Sequence, residues 1–451
     1  MKRVKIGCGA GFAGDRFDAC LPVIDALAQH PGPRYLMFEV LAERTLALAQ
    51  QARVKDPALG YSPYLGHYIS RALGPALASG VRIVSNVGAA NPVAAANRVQ
   101  DLARELGLPV PQIAVVLGDD LTAIMSEEEI RQAPTMEGTD LSRRPLIAAN
   151  AYLGARSVAA ALATEAELVL VGRTTDSALA LGPLIHEFGW SEDDWNRLAA
   201  GVIAGHLLEC GAQVTGAYFA DPGFKDVPDL ARVGFPVAEV SEDGSITITK
   251  PGGTGGCVTA ATVTEQLLYE MHNPAAYLTP DVTADITQVR LSEAGRDRIQ
   301  VASVRGHPAP ETLKATICVE NGWMGEAEIS YAGPNALARA RLAGEVVAAR
   351  LVMQGVNQTP RVEVIGAGSV LTGGAPGEAP PDGDYRARIA LLSETQDHAQ
   401  MVADEVLSLL CSGPAGGGGV RSHVTPQMAT ASILVPRARV EAEVEIVEIS
   451  P

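Results

Sequence analysis

The chain has 451 residues, 47% of them apolar, which is enough to bury a large core and to form two or three domains. Its 52 acidic and 35 basic residues give a net charge of −17, which argues against general binding of nucleic acids or anionic membranes. No apolar run reaches the length of a transmembrane helix, and the N-terminus lacks a signal-peptide core. We therefore predict a cytoplasmic homo-oligomer that binds a small anionic molecule, with no nucleic-acid or membrane partner.

The cysteine and histidine patterns predict no metal site. Six scattered cysteines without a C-x-x-C pair are typical of reduced thiols. The chain has no H-x-x-H or H-E-x-x-H pattern, which argues against a dedicated zinc site. An oxygen-ligated Mg²⁺ stays open, because scattered carboxylates leave no signature in a sequence.

The first motif is a glycine-rich turn after a short apolar run. Gly9, Gly11 and Gly14 match G-x-G-x-x-G, and residues 17–27 have helical apolar spacing. A strand, glycine turn and helix in this order point backbone N–H groups and a positive helix end at an anion.

We predict that this turn binds phosphate or another anion, with Asp15 and Arg16 at its mouth. A second predicted strand, residues 35–38, ends at Glu39, as in a dinucleotide-binding fold, although that acid lies further along the chain than usual. NAD is therefore one candidate ligand. The alternative is a glycine turn that only packs a helix closely against a sheet, with Asp15 and Arg16 as a helix cap and a surface ion pair.

Further strands are predicted at residues 81–85, 113–117 and 168–171, and they alternate with helices that include 43–55 and 68–78. This alternation indicates an α/β fold with a mainly parallel open sheet and helices on both faces. Ligands of such sheets bind outside the carboxyl ends of the strands. That rule places a set of polar residues at one edge: residues 9–16, Glu39, Asn86, Asn91, Asp119, Asp120, Arg173, Thr174, Thr175 and Asp176.

The region between about 191 and 275 carries two more candidate groups. A predicted helix over residues 194–210 places His206 and Glu209 on one face, either as a structural pair or as a base with its orienting carboxylate. A hairpin over residues 237–250 leads into a second glycine-rich loop that could hold phosphate through Lys250, Gly252, Gly253 and Thr254. Cys257 follows at a predicted helix N-terminus, which would lower its thiol pKa; a small buried residue is the alternative.

After about residue 281 the pattern becomes strand, helix, two strands, helix, strand, which is the order of a ferredoxin-like α+β domain. We therefore predict a Rossmann-like α/β domain over residues 1–280 and a smaller ferredoxin-like domain over residues 281–451. Residues 366–384 are predicted to be a long mobile loop, and residues 411–419 a flexible connection or lid.

Several blocks in order resemble the acyclic terpene utilisation protein family. They are G-x-G-x-G-F-x-G-D-R from Gly7, Y-L-M-F-E from Tyr35, G-R-T-T-D-S from Gly172, H-L-L-E-C-G-A-Q from His206 and K-P-G-G-T-G-G-C from Lys250. The resemblance covers roughly residues 3–345, and the remaining tail is similar to a small C-terminal domain often joined to this family. The resemblance implies a gene context shared with enzymes that degrade branched acyl chains as CoA thioesters. It implies no particular reaction for this family.

We predict an enzyme that acts on an anionic acyl substrate, an acyl-CoA thioester, by hydration or elimination or by hydrolysis. Asp176 is the leading general acid or base, with Glu39 or His206 as a second proton carrier and Cys257 as a candidate nucleophile. Asn86 and Asn91 would orient a substrate carbonyl or close a turn. An NAD(P)-dependent oxidoreductase and a non-catalytic partner subunit of a catabolic enzyme are the alternatives.

Overall fold

The structure is a computed structural model that describes residues 2–141, 144–370 and 382–449. These residues form two compact units. The first comprises residues up to 142, residues 146–318 and the chain from 430, and the second comprises residues 143–145 and 319–429. Residues 281–318 and those from 430 thus lie in the first unit, whereas the sequence analysis assigned them to the C-terminal domain. The boundary between domains at residues 280 and 281 stays a prediction.

The helices of the described chain are α1 (Cys20–Ala28), α2 (Glu43–Lys55), α3 (Leu65–Ser79), α4 (Pro92–Glu105), α5 (Glu127–Gln132), α6 (Ala155–Leu162), α7 (Ala178–Phe188), α8 (Trp195–Glu209), α9 (Ala260–Leu268), α10 (Ala336–Met353) and α11 (Gln396–Ser412). The first nine belong to the first unit and the last two to the second. None of these helices is long and apolar enough to cross a membrane.

The strands of the described chain are β1 (Arg3–Ala10), β2 (Arg34–Phe38), β3 (Arg82–Ser85), β4 (Ile113–Leu117), β5 (Leu146–Ala151), β6 (Leu168–Val171), β7 (Val237–Ser241), β8 (Ile246–Thr249), β9 (Tyr277–Leu278), β10 (Thr283–Asp285), β11 (Arg290–Glu293), β12 (Ile299–Ala302), β13 (Arg305–His307), β14 (Thr312–Gly333), β15 (Arg361–Ile365), β16 (Gly383–Ser393), β17 (Gly418–Pro436) and β18 (Glu443–Val447).

A ten-stranded mixed sheet organises the first unit, in the order β11-β12-β8-β7-β1-β2-β3-β6-β4-β18. Its centre, β1-β2-β3-β6-β4, is parallel, as predicted from the alternating strands and helices. The flanks are antiparallel, because the hairpin β7–β8 pairs beside β1 and the C-terminal β18 pairs beside β4. The prediction of a mainly parallel sheet is therefore wrong at both edges. There the sheet is completed by antiparallel strands that are distant in sequence from their neighbours β1 and β4.

The order of the parallel strands also differs from the usual Rossmann order. In a Rossmann fold the first strand lies at the centre and the chain winds outward in both directions. Here β1, β2 and β3 follow one another, and β6 inserts between β3 and β4. The predicted α/β class is confirmed, whereas this order does not give the predicted Rossmann-like arrangement.

Helices cover both faces of the parallel strands, as predicted. Alternate strand residues enter two separate cores, so that Ala114 and Val116 of β4 pack on the side of α6, α7 and α8. Ile113 and Val115 pack on the side of α1, α3 and α4. Burial of both faces explains why these strands are continuously apolar, and it holds their carboxyl ends in fixed positions.

The second unit has its own apolar core between α10, α11 and one sheet. The strands of that sheet lie in the order β15-β16-β14-β17. In chain order its elements are β14, α10, β15, β16, α11 and β17. Most of the loop predicted over residues 366–384 lies outside the described residues. The connection predicted over 411–419 is shorter in the structure, because α11 extends to Ser412 and β17 begins at Gly418.

Candidate functional site

The carboxyl ends of β1, β2, β3 and β6 bring several of the predicted polar residues together. The N–H of Glu39, directly after β2, donates to the carbonyl of Ala10 at 3.0 Å. Asn86, directly after β3, is fully buried and donates from Nδ2 to Glu39 Oε1 at 2.8 Å. Its Oδ1 accepts the N–H of Val40 at 2.8 Å. Asn86 therefore fixes the position of Glu39, and its role in orienting a substrate carbonyl stays a prediction.

Asp119, two residues beyond the end of β4, fixes the neighbouring strand end. Its Oδ2 accepts the backbone N–H of Arg173 at 2.9 Å and Nδ2 of Asn150 at 2.9 Å. Burial raises the pKa of this carboxyl to about 6, although both hydrogen bonds act in the opposite direction. Asn150 lies in β5, a strand that the sequence analysis did not predict. Asp120 instead caps the turn that follows β4, where its Oδ1 accepts the N–H of Thr122 at 3.0 Å.

Arg173 is the central cation of this edge and is only 2% exposed. Its Nη2 lies 2.6 Å from Asp176 Oδ1, and its Nη1 donates to the carbonyl of Leu41. The guanidinium lies over the ring of Tyr152, 4.1 Å from the centroid. A buried arginine needs such partners, because an uncompensated charge in the interior is strongly destabilising.

A cavity of about 420 Å³ opens beside this arginine. It is lined by Gly11, Phe12, Ala13, Glu39, Leu41, Ala42, Glu43, Thr45, Arg173, Asp176, Glu209, Cys210, Gln213, Tyr269 and Glu270. We call it the acidic cavity, because its lining has five carboxylates and, among the described residues, Arg173 as the one basic side chain. All of these residues belong to the first unit.

Two of the carboxyls have raised pKa values. Burial, together with the nearby charge of Asp176, raises the pKa of Glu39 well above its ordinary value. Burial, together with the charges of Glu209 and Glu43, raises the pKa of Asp176 to about 6, against the opposing effect of Arg173. The Asp176 side chain is still 37% exposed, and it lines the acidic cavity. A pKa near neutrality suits a group that must both take and give a proton.

Glu43 behaves in the opposite way. Burial alone would raise its pKa, but the hydrogen bond from the Tyr152 hydroxyl at 2.5 Å and the charges of Arg173 and Lys314 lower it. Lys314 Nζ lies 3.6 Å from Glu43 Oε1. The cavity therefore combines an ionised carboxylate with carboxyls that hold protons more tightly.

His206 and Glu209 form the predicted pair on α8, with Nδ1 of the histidine 2.8 Å from Oε1 of the glutamate. Burial would lower the pKa of His206, but the charge and hydrogen bond of Glu209 outweigh it and the pKa is raised. His206 does not line the acidic cavity, whereas Glu209 does. The pair thus reaches the cavity through the carboxylate.

Several buried polar atoms in and near this site have no hydrogen-bond partner within the described residues, and of their residues Arg173 and Glu209 line the acidic cavity. These atoms are Arg173 Nε, Thr174 Oγ1, Ser177 Oγ, His206 Nε2, Glu209 Oε2 and Gln266 Oε1. Buried polar groups in folded proteins are almost always paired, so a concentration of unpaired ones indicates where a ligand or ordered water binds. Thr175 differs, because its backbone N–H bonds the carbonyl of Leu153 at 3.0 Å and its side chain is partly exposed.

The first glycine-rich loop does not have the geometry of a dinucleotide-binding turn. Residues 11–19 separate β1 from α1, which begins at Cys20 rather than at the predicted residue 17. Local turns use the backbone here, such as the bond from Ala19 N to the carbonyl of Arg16. Phosphate binding at such a motif requires a helix that starts directly after the strand, so that its N–H groups point at the phosphate. Here residues 11–19 lie between the strand and the helix.

The glycines of this loop allow close approach within the protein. A Cβ on Gly9 would lie 2.6 Å from the ring of Phe38, and a Cβ on Gly11 would lie 2.3 Å from the backbone nitrogen of Gly211. Gly14 has a φ of +92° and donates its N–H to the hydroxyl of Tyr68. These contacts match the alternative interpretation of the motif, in which the glycines pack elements together.

The charged residues of the loop have partners inside the protein. Asp15 accepts the N–H groups of Gly11 at 2.9 Å and Arg16 at 2.8 Å. Arg16 forms a two-pronged pair with Asp18 at 3.1 and 2.9 Å and does not line the acidic cavity. Asn91 caps α4 and donates to the carbonyls of Pro57 and Leu59, so it too closes a turn.

The second glycine-rich loop is similarly closed. The Lys250 side chain is 5% exposed; its Nζ donates to the carbonyl of Thr254 at 2.9 Å and lies 3.7 Å from Asp297. Thr254 Oγ1 donates to the carbonyl of Pro251 at 2.6 Å. The glycines at 252 and 253 have open space around them, so they stay the predicted contact points of this loop.

Cys257 is not an activated thiol in this structure. It precedes the cap of α9, which is Thr259, and burial together with the charge of Asp297 raises its thiol pKa. The predicted lowering of that pKa is therefore wrong. Cys210, which lines the acidic cavity, also has a pKa raised by burial.

The sequence analysis did not name Glu43, Tyr152, Gln213, Tyr269 or Glu270 as site residues, although all but Tyr152 line the acidic cavity. They come from α2, from the residue after β5, from the turn after α8 and from the two residues after α9. Only tertiary packing places them at the sheet edge. Within the described ranges, no group of three or more His, Cys, Asp or Glu side chains is arranged to hold a metal ion.

Fold and site together define an α/β protein whose parallel strand ends surround a buried arginine and an acidic cavity. The family model for the acyclic terpene utilisation family protein AtuA matches residues 4–446, nearly the whole chain. The chain belongs to this family, as the sequence blocks predicted, and membership implies a role in acyclic terpene utilisation. Comparisons with curated proteins and with solved structures found no match.

Proposed function

We propose that the chain is a cytoplasmic, homo-oligomeric enzyme of acyclic terpene catabolism. It adds water to, or removes water from, an unsaturated or hydroxylated branched acyl chain carried as a CoA thioester. The observation that supports this reaction is the pair Glu39 and Asp176, two carboxyls with raised pKa values that line one cavity beside Arg173. Hydration requires one group that gives a proton and one that takes it.

In the hydration direction, Asp176 in its ionised form removes a proton from water while the water oxygen bonds to one alkene carbon. Glu39 in its protonated form gives its proton to the other carbon, so the double bond becomes a C–O and a C–H bond. The product leaves Asp176 protonated and Glu39 ionised, and transfer of one proton between them through solvent restores the starting state. Elimination is the same sequence in reverse.

The hydrogen bonds of Glu39 fit the role of acid. Both donors that it meets in the described chain, Leu41 N and Asn86 Nδ2, bond to Oε1, at 3.0 and 2.8 Å. The carboxyl is therefore held in one orientation through a single oxygen, and Oε2 is left to carry the proton. A fixed acid needs little reorganisation when the transition state forms.

The charge of the cavity bears on how the substrate binds. The excess of acidic side chains over the one arginine of the lining favours an uncharged reacting end and repels the phosphates of CoA. The CoA portion would therefore lie outside the acidic cavity. Hydrolysis through a cysteine nucleophile is disfavoured, because the thiol pKa values of Cys210 and Cys257 are both raised.

The second unit supports a separate, structural proposal. Its order β-α-β-β-α-β and its sheet order β15-β16-β14-β17 favour a ferredoxin-like fold, which would serve assembly of the oligomer.

Isotopic labelling tests the proposed reaction. The purified protein is incubated with methyl-branched enoyl-CoA and 3-hydroxyacyl-CoA esters in water enriched in deuterium and heavy oxygen, and the products are analysed by mass spectrometry. We expect one deuterium on carbon and one heavy oxygen in the hydrated product. Glu39→Gln should lower the rate about 10²–10⁴-fold, whereas Glu105→Gln, at an exposed ion pair with Arg98, should not change it. Incorporation of neither label by the wild-type protein would contradict the proposal.

A further inference from the structure

An apolar groove adjoins the acidic cavity. One part, of about 210 Å³, is lined by Gln213, Ala217, Tyr218, Phe219, Lys225, Glu265, Gln266 and Tyr269. The other, of about 690 Å³, continues along α9 past Phe219, Phe224 and Leu268. Gln213 and Tyr269 also line the acidic cavity, and Tyr269 lines both parts of the groove. The groove and the acidic cavity are therefore neighbours that share part of their lining.

The groove exposes aromatic side chains in a chain that has few of them. The protein contains only 7 phenylalanines and 10 tyrosines. Tyr218 and Phe224 are each 85% exposed, more than the other exposed aromatic side chains of the described residues, and Leu268 on α9 is 52% exposed. Contiguous exposed apolar side chains beside a cavity are typical of a surface that a ligand or a partner covers.

The loop that presents these aromatics is held in place. Asp221 and Lys225 exchange two backbone hydrogen bonds, of 3.0 and 2.7 Å, so Phe224 lies at the tip of a closed turn. Lys225 Nζ lies 4.8 Å from the ring centroid of Phe219 and forms an ion pair with Glu265 of α9. The lysine charge is thus satisfied across the groove.

Backbone strain occurs on both sides of the groove. Tyr218 has a φ of +59°, and Glu270, next to Tyr269, has a φ of +56°. A left-handed backbone at residues other than glycine is strained, and such strain is concentrated at ligand sites. Strain that holds Tyr218 outward therefore fits a binding surface.

We propose that this groove binds the open hydrocarbon chain of the substrate while the reacting end lies in the acidic cavity. The inference rests on the proposed function, because it assigns the two ends of one acyl substrate to adjoining surfaces. Tyr218, Phe219, Phe224 and Leu268 supply the apolar contacts, and Tyr269 marks the passage between the surfaces. The occupant is a small apolar chain, since the groove and a cavity of the same unit share Gln213 and Tyr269 in their linings.

The test measures chain binding without turnover. Butanol, hexanol, octanol, decanol and the open-chain terpene alcohol geraniol are titrated calorimetrically into the full-length protein. Each added methylene that enters the groove should raise the affinity by up to about fourfold. The double variant Phe224→Ser, Leu268→Ser should weaken decanol binding at least about tenfold and flatten the dependence on chain length. Both side chains are exposed, so the fold is retained.

Val54→Ser is the matched control, because Val54 is 80% exposed and lies on α2 outside the groove. Its affinities should equal those of the wild-type protein. Affinity that does not depend on chain length, or an equal loss in the control, would overturn the inference. A double variant that changes the oligomeric state but not alcohol binding would also overturn it, and would identify an interface between copies. Since no reaction is followed, a protein that binds the series but hydrates nothing would refute the proposed function alone.

Discussion

The acidic cavity and the two glycine-rich loops use charge in different ways. Arg16 and Lys250, the basic residues of the loops, are engaged with Asp18 and with the carbonyl of Thr254. At the cavity, Asp176 is paired with Arg173 and yet partly exposed, and Glu209 keeps one buried oxygen unpaired among the described residues. Polar groups whose bonds are complete within the chain stabilise it, whereas groups left with bonding capacity can act on a ligand. The comparison favours the side chains of the cavity over Arg16 and Lys250 as the groups that perform chemistry.

The largest expected effect separates two aspartates that each pair with an arginine. Asp176→Asn should lower the rate of water addition to a branched enoyl-CoA by about 10²–10⁴-fold, because it removes the proton acceptor. Asp18→Asn, at the exposed pair with Arg16, should change the rate less than about twofold. Steady-state rates of the two variants, with thermal unfolding as a check on folding, test this contrast. Equal rates in the two variants would place the chemistry elsewhere.

The second largest expected effect is a difference in the free energy of unfolding between variants of Arg173 and Arg16. Arg173→Met should lower the free energy of unfolding by about 3 kcal/mol, because it removes a buried cation that pairs with Asp176 and donates to the carbonyl of Leu41. Arg16→Met should cost less than about 1 kcal/mol, since that pair is exposed. Urea unfolding of both variants measures the difference. A larger loss at Arg16 would show that the first loop, and not the cavity, depends on its charge.

A pH-dependent effect is expected at Asp119. Burial raises its pKa from 3.8 to about 6, so the folded state binds this proton more tightly than the unfolded state. The folded state is therefore favoured at low pH and loses that contribution as the pH rises through about 4 to 6. Asp119→Asn keeps an acceptor for Arg173 N and Asn150, and removes the titration.

Relative to the wild-type protein, Asp119→Asn should therefore gain of order 1–3 kcal/mol of stability between pH 4 and pH 7. Unfolding experiments at both pH values measure this difference. A stability difference between variant and wild type that is the same at both pH values would show that Asp119 does not titrate in that range.

The smallest effect concerns the second glycine-rich loop. Lys250→Met should lower the free energy of unfolding by about 1–2 kcal/mol, because the carbonyl of Thr254 loses its donor. If the loop is only structural, the KM of this variant for CoA esters should stay within about twofold of the wild-type value. Steady-state kinetics and unfolding of this one variant separate the two roles. A tenfold rise in KM with unchanged stability would instead support the predicted phosphate site.

The sequence was informative where function depends on strand ends. The apolar runs before Glu39, Asn86, Asp119 and Arg173 are short and strongly patterned, so their carboxyl ends could be placed at one edge. The structure brings Glu39 into contact with Asn86, and Asp119 with Arg173, across that edge. Whether these residues perform chemistry stays a prediction.

The remainder of the site depends on contacts that no local pattern encodes. Tyr152 bonds Glu43 across 109 positions of sequence, and β18 completes the sheet beside β4 from the end of the chain. The glycine motif was misleading for a related reason, since its spacing does not show whether the space above each glycine holds a ligand or another part of the protein. At Gly11 it holds the backbone of Gly211.

The central claim is that Glu39 holds a proton inside the acidic cavity, and infrared spectroscopy can measure this directly. The difference spectrum between wild-type protein and Glu39→Gln is recorded near neutral pH, where an exposed glutamate is ionised. The account predicts that the variant loses the C=O stretching band of a protonated carboxyl. Loss of ionised carboxylate bands alone would contradict it, because Glu39 could not then serve as the acid.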